Sequence, residues 1–434
     1  MQTLKINGIA KAASPPKGAL KVHFREALDL ILATEAATNF SDLIREELPA
    51  IVSHWLQSPK DSPILMSDSY GEKWVSVLRH YCEVRLHGPI TMRPRQRKQP
   101  RPIYIDFSEL PFPPTLKNPK FKFMDLFAGI GGFRIGLESL GGKCLFSSEW
   151  NNASKQTYFN NFGEVPFGDI KLLSSGKLID KEIDILAGGF PCQPFSLAGV
   201  SARNARGSSH GFECEDQGQL FFDIIRMSKQ YRPKILLLEN VGNLYNHDGG
   251  RTFETIKAEI ESTLGYKFFE AKYNCNTLVA QSRVRCIIVA FRDGPKNPDW
   301  KMPKLSGTPL PLTEILEKTK VDDRYTISDA LWEGHKNRSR KNVERGVGFT
   351  AYERDLEKPA PTLVARYYKD GKECLIPQGE KNPRMLTERE CARLQGFPAQ
   401  FMPHPTRSNA YKQFGNSVPV PLIEFVAEHA LQQV

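Results

Sequence analysis

Apolar residues recur at three- and four-residue spacing in EALDLILATEAA and in SDLIREELPAIVSHWLQ, which predicts two amphipathic helices near the start of the chain, with Ser41 as N-cap of the second. A third helix is predicted over GEKWVSVLRHYCEV, so residues 1–92 read as a helical extension. Residues 93–120 change texture: RPRQRKQPRP and LPFPPTLKNPK are basic and proline-rich and predict an extended linker. Its Arg93, Arg95, Arg97, Lys98 and Arg101 are either plainly solvated or set against phosphates. From Phe121 onward, apolar runs of strand length alternate with helix-like stretches. FKFMDLFAG, GKCLFSSEW, IDILAGGF, KILLLENV and RCIIVAF are the strands; GQLFFDIIRMSKQ and FETIKAEIESTL are among the helices. That alternation predicts a parallel α/β sheet with helices on its faces. Residues 299–413 lack clear periods and are rich in Pro, Gly and charge, before VPVPLIEFVAEHALQQV returns to an amphipathic helix. The expected organisation is therefore a large α/β domain over 121–298, completed by 414–434, with a smaller loop-rich domain at 299–413.

The 434 residues, 40% hydrophobic, can bury more than one core. No apolar run reaches the ~18 residues of a membrane span, and Met1–Leu20 lacks a secretory apolar core, so a cytoplasmic, membrane-free protein is expected. The eight cysteines include no C-x-x-C pair, which argues against a disulfide framework and a zinc knuckle; no metal is expected. A formal charge of +10 moderately favours a nucleic-acid partner.

Candidate chemistry gathers at the strand ends. In DLFAGIGGF, Gly129, Gly131 and Gly132 follow a strand and open a helix, where a ligand can approach the backbone. Glu149 ends the next strand twenty residues later, where such folds bind ribose hydroxyls; Trp150 is placed to pack on a purine and Asp169 to reach an adenine edge. There is no P-loop lysine, which favours a nucleoside without a phosphate anchor. In GGFPCQPFS, Pro191 and Pro194 stiffen the turn that carries Cys192. A buried structural thiol is the competing reading of that cysteine. Glu239 ends another strand, and Gln281, Arg283 and Arg285 precede RCIIVAF.

DLFAGIGGF, PCQPFS, LENV, QSRVR, RMLTERECARLQGFP and QFGNSVPVPL stand in the order found in bacterial cytosine-C5 DNA methyltransferases, which the chain resembles from Phe121 to Val434. One departure is Leu278, Val279 and Ala280, where that family usually carries Gly-x-Pro. The resemblance implies a Rossmann-like methyltransferase sheet, S-adenosylmethionine as cofactor and a target-recognition domain at 299–413. It implies that Cys192 attacks C6 of cytosine, Glu239 bonds N3 and the exocyclic amine, Arg285 holds O2, and Arg283 positions the Cys192 loop. It assigns the cofactor to Phe127, Gly129, Gly131, Gly132, Glu149, Trp150, Asp169, Ile170, Leu220 and Asn416, the last with a simple helix cap as alternative. The target base must leave the duplex; Leu197–Gly218, polar and rich in Gly and Ser, is expected to be a loop that closes on the DNA.

Within the recognition region, Thr362 and Leu363 resemble a threonine–leucine pair of such enzymes. Arg366, Tyr367, Tyr368 and Lys369 mix basic and aromatic groups suited to DNA, with an aromatic strand and hairpin as the plain alternative. Ser196, Gln281, Thr362, Leu363, Arg366 and Lys369 are the expected DNA contacts. The expected partner is double-stranded DNA, bound by a monomer and so held at the nucleoid, with a cognate restriction endonuclease acting separately. A transfer-RNA cytosine-C5 methyltransferase and an inactive DNA-binding regulator are the alternatives. The long basic recognition region disfavours the first, and the presence of Cys192, Glu239, Arg283 and Arg285 disfavours the second.

Overall fold

The computed structural model describes residues 19–36, 38, 40, 42–58, 66–87, 101–114, 118–170, 182–190, 212–346 and 351–434. The chain forms two compact units, one of Met1–Lys120 with Leu145–Glu182 and the other of Phe121–Cys144 with Ile183–Val434. The helical extension thus incorporates a segment expected in the catalytic domain, and region 299–413 shares a unit with the strands that precede it.

In the first unit the three predicted helices are Phe24–Glu35, Asp42–Gln57 and Met66–His87; Ser41 lies outside the described residues. Trp55 and Trp74 meet edge-on at 5.0 Å in its core. Buried Glu35 accepts bonds from Trp74 Nε1, Lys73 Nζ and Thr38 Oγ1, so both of its carboxylate oxygens are engaged. The expected linker is partly folded: Ile103–Asp106 pairs in parallel with Leu20–His23, because Ile103 and Ile105 alternate into the core despite the flanking prolines. Helix Asn152–Phe162 belongs to the same unit, capped by the Asn151 side chain and ended by Gly163 in the left-handed region.

In the second unit the strands Phe121–Leu126, Ile185–Gly189, Ile235–Val241, Val284–Phe291 and Lys267–Asn274 lie side by side in that order. The first three are parallel, as expected. Val284–Phe291 is antiparallel to both of its neighbours, so the sheet is mixed rather than parallel. The reason is chain length: only residues 275–283 separate it from Lys267–Asn274, too few for the roughly dozen residues of a parallel crossover. Lys267–Asn274 is an edge strand with mostly uncovered side chains, and its sequence carries no apolar run. Ile185, Ile235, Leu237, Ile287 and Val289 form one face of the core, closed by Leu422, Ile423 and Val426 of the terminal helix Val420–Leu431. Among the described residues no helix is long and apolar enough to cross a membrane.

Region 299–413 is loop-rich, as expected, but holds the helix Asp329–Glu344. Its Ala360–Pro361 pairs in parallel with Gln281–Ser282 in a separate two-stranded ladder, just before Val284–Phe291.

Candidate active site

The reversed strand determines the site. Parallel strands place their C-terminal ends at one edge of a sheet, and an antiparallel neighbour brings its N-terminal end there. Arg285 therefore stands opposite Val241 at the end of the Ile235–Val241 strand, diagonal to Glu239 on the same face. Arg285 Nε lies 2.7 Å from Glu239 Oε1, with both side chains about nine-tenths buried. Burial raises the Glu239 carboxyl above its ordinary range, against the lowering influence of Arg285 and Arg283. A carboxyl held in this way can carry a proton nearer neutral pH than a solvated one.

Asn240 complements its neighbour. Its Nδ2 donates to the Phe190 carbonyl at 2.9 Å and so fixes the chain two residues before Cys192. Cys192 itself, Ser196 and the rest of 191–211 lie outside the described residues. Of the expected closing segment Leu197–Gly218, residues 197–211 lie outside the described residues, and Phe212–Gly218 is the start of the helix Phe212–Tyr231, on which Leu220 is half-buried. Cys82, Cys144, Cys275, Cys286, Cys374 and Cys391 are all buried. Burial pushes the thiols of Cys275, Cys286 and Cys374 up to about 12, the opposite of what a nucleophile needs.

Arg283 is a tie rather than a surface cation. It is 1% exposed, and its guanidinium donates to Leu363 O at 2.8 Å, Gly415 O at 3.0 Å and Ser417 O at 2.7 Å. Burial and the nearby Arg285 lower its pKa to about 9, which leaves it cationic at neutral pH. Gln281 and Leu363 do not stand where base contacts were expected. Gln281 is buried, its Nε2 donating to Leu394 O at 2.6 Å and its Oε1 accepting from Leu363 N at 3.1 Å. The Leu363 side chain is buried, and Thr362 Oγ1 donates to Ser282 O at 2.7 Å. Arg366 and Lys369 are exposed on a 3-10 turn, Ala365–Lys369, which stands where an aromatic strand was the plain alternative; Tyr367 between them is buried. In the 275–283 connection, Val279 and Ala280 are buried where Gly-x-Pro is usual.

The glycine turn follows the Phe121–Leu126 strand. Phe127, with φ of 59°, and Gly131, with φ of 88°, take the left-handed region before helix Gly132–Ser139. Such backbone strain at a non-glycine residue concentrates at ligand-holding turns. Gly132 packs so closely on Ser417 and Val418 that an added Cβ would lie 2.8 Å from Val418 Cγ2, which brings the GNSV segment to the turn. Asn416 is the last residue of helix Arg407–Asn416 and is exposed, with Ser417 as the cap. In the other unit, the bridge Ser148↔Phe167 draws Glu149 and Trp150 toward Asp169 and Ile170. Glu149 is buried and accepts from Asn151 N at 2.8 Å, Trp150 is 73% exposed, Asp169 is half-exposed and Ile170 buried.

The family model for C-5 cytosine-specific DNA methylase matches residues 121–432. The chain belongs to this family. The methylase is 43% identical over 326 residues to the Type II methyltransferase M.DsaV of Dactylococcopsis salina, covering 74% of this chain and 88% of that one. It is 46% identical over 322 residues to the Type II methyltransferase M1.ScrFI of Lactococcus lactis subsp. cremoris, covering 73% and 79%. Among solved structures, the S. pombe Dnmt2 methyltransferase shares its fold, with a TM-score of 0.54 at 16% identity over 72% of this chain and 99% of that one. This methylase is a DNA cytosine-5 methyltransferase on an α/β methyltransferase fold. The hold of Asn240 on Phe190 O, just past the Ile185–Gly189 strand, was not expected from the sequence; its place beside Glu239 was the available signal.

Proposed function

We propose that the methylase transfers a methyl group from S-adenosylmethionine to C5 of a cytosine flipped out of a specific site in duplex DNA, as the modification partner of a separate endonuclease in the bacterial cytoplasm. The observation that carries this reading is the Glu239–Arg285 pair at 2.7 Å, one residue from the asparagine that holds the approach to Cys192. Cys192 adds to C6 as thiolate, which converts C5 into a nucleophile; once C5 carries the methyl group, loss of the C5 proton breaks the Cys192–C6 bond and frees the thiolate. Glu239, with its raised carboxyl, donates to N3 as electron density builds on the ring, and Arg285 orients Glu239 and faces the charge that develops on O2. Arg283 acts one step back, tying the segments around Leu363 and Ser417 to the sheet.

S-adenosylmethionine supplies the electrophilic methyl group. The strained turn of Phe127, Gly129, Gly131 and Gly132, open to a ligand at Gly129, where an added Cβ would meet only Phe127 O at 3.9 Å, suits a nucleoside. Leu220, Asn416, Glu149, Trp150, Asp169 and Ile170 complete the proposed contacts. Arg366, Lys369, Thr362 and Ser196 remain the proposed DNA contacts; Gln281 and Leu363 act through the protein interior. The relatives' designation as Type II methyltransferases supports the restriction–modification setting.

The test is bisulfite sequencing of DNA from a methylation-free bacterial host expressing the full chain beside Cys192→Ala. Protection of cytosines in one short recurring motif, absent in the variant, is expected. Full conversion of every cytosine despite soluble protein sinks the DNA assignment and directs attention to transfer RNA.

A further inference from the structure

The extension that precedes the methylase match holds the loop that carries Asp169. Beyond the single bridge at Ser148↔Phe167, this loop has no regular strand pairing among the described residues. One stripe of helix Asp42–Gln57 takes over. Gln57 Nε2 donates to Phe162 O at 2.8 Å, His54 Nε2 lies 2.9 Å from Glu164 Oε1, and Ser53 Oγ accepts from Val165 N at 3.0 Å. Glu47, two turns earlier on the same stripe, accepts the Gly168 N–H with both carboxylate oxygens, at 2.9 and 3.0 Å. An added Cβ at Gly168 would lie 2.5 Å from Glu47 Oε1, so the carboxylate fills the place of a side chain.

Glu47 is 8% exposed. A buried carboxylate is costly, and a leucine would serve mere packing better. Burial raises its carboxyl, with Glu46 adding to the rise and the Gly168 N–H, Lys155 and His54 opposing it. Its geometry has one evident product: the backbone orientation at Gly168, immediately before Asp169 and Ile170.

We propose that Glu47 is a positioning residue for cofactor binding, fixing the Gly168–Ile170 turn so that Asp169 and Ile170 receive the adenosyl moiety of S-adenosylmethionine. The amino-terminal helical region is then a working part of the cofactor site. This rests on the reading above that Asp169 and Ile170 contact the cofactor.

The test uses the full chain, with S-adenosylmethionine binding by calorimetry and steady-state methyl transfer. Glu47→Gln is isosteric and keeps a neutral acceptor, so loss of the charge-assisted component should raise Kd and KM for S-adenosylmethionine on the order of five- to tenfold, with kcat and KM for DNA within about twofold. Gln57→Ala, on the same stripe but bonded to Phe162, should lower the melting temperature and leave Kd for the cofactor unchanged. Asp169→Ala should weaken cofactor binding at least as much as Glu47→Gln. If Asp169→Ala weakens binding and Glu47→Gln does not, positioning by Glu47 is wrong while the cofactor reading stands. If Asp169→Ala has no effect, the cofactor reading of that turn is wrong and the inference goes with it. Equal loss of affinity in Glu47→Gln and Gln57→Ala, in step with melting temperature, reduces Glu47 to a structural residue and also overturns it.

Discussion

Arg283 and Arg285 are two residues apart, yet replacing them should have opposite readouts. Arg283→Ala removes three donors from Leu363 O, Gly415 O and Ser417 O and leaves those carbonyls inside the protein. Hydrogen bonds from a charged donor contribute roughly 1.5–3 kcal/mol each, and they are not additive within one guanidinium, so a cost of about 3–5 kcal/mol is expected. Against a total stability of about 5–15 kcal/mol, that is severe. At roughly 2–4 °C per kcal/mol for a unit of this size, the melting temperature should fall by about 6–20 °C. Arg285→Lys, by contrast, keeps a cation beside Glu239 and forfeits one charged bond, to Val284 O at 2.7 Å, a loss of roughly 1.5–3 kcal/mol, while displacing the group proposed to face O2. Its kcat should drop on the order of a hundredfold. Differential scanning calorimetry and transfer of tritiated methyl groups to DNA, run on both variants, make the comparison. An Arg283→Ala protein that melts within about 2 °C of the parent would refute the tie, since no arrangement of three lost charged bonds is so cheap.

Glu239→Gln keeps an acceptor for Arg285 but cannot deliver a proton to N3; kcat should fall by about a hundred- to ten-thousandfold with cofactor affinity unchanged, measurable by methyl transfer and calorimetry. Because the folded Glu239 carboxyl is raised, its contribution to stability is complete below the unfolded carboxyl range and is lost as pH rises through the folded value, so parent and Glu239→Gln melting curves should diverge on going from acid to neutral pH. Gly415→Ala places a Cβ 2.3 Å from the Val364 carbonyl carbon and should cost about 1–3 kcal/mol or more by denaturant titration, since backbone cannot swing aside as a side chain does. In the amino-terminal region, Asp106 sits 2.7 Å from Lys21 Nζ and is held down to about 2 despite burial, by Lys21 and Ser108. Its stabilisation is present above the unfolded carboxyl range and disappears as pH falls from about 4 to about 2; with Lys21 half-exposed it amounts to about 1 kcal/mol, removed by Asp106→Asn.

The strands with continuous apolar runs, such as KILLLENV and RCIIVAF, were legible because burial on both faces leaves only apolar residues in the chain. Strand direction was not, since an apolar run reads alike either way; only the short 275–283 connection hints at reversal. Lys267–Asn274 and helix Asp329–Glu344 escaped for a related reason. The first is an uncovered edge, and the second is anchored by one buried side chain, His335, bonded to Asp370 O, with no apolar stripe. At the site, Glu239 and Arg285 were readable from motif chemistry. The inward turn of Gln281 and Leu363 was not, because an amide saturated by backbone and an amide aimed at a base are the same letter. Glu47 had no local signal at all; its significance lies in a partner 121 positions away.

That separation bears on synthesis. Helix Asp42–Gln57 leaves the ribosome long before the Phe162–Gly168 loop it grips, a delay of roughly 5–20 s at usual elongation rates. Through that interval Glu47, Ser53 and His54 stand without their mates, and a nascent chain stalled near residue 140 should be a ready chaperone client. A fragment trimmed to the family match, starting at residue 121, would keep the Phe162–Gly168 loop and lack the helix that grips it. The boundary drawn by kinship and the boundary drawn by folding fall at different places in this chain.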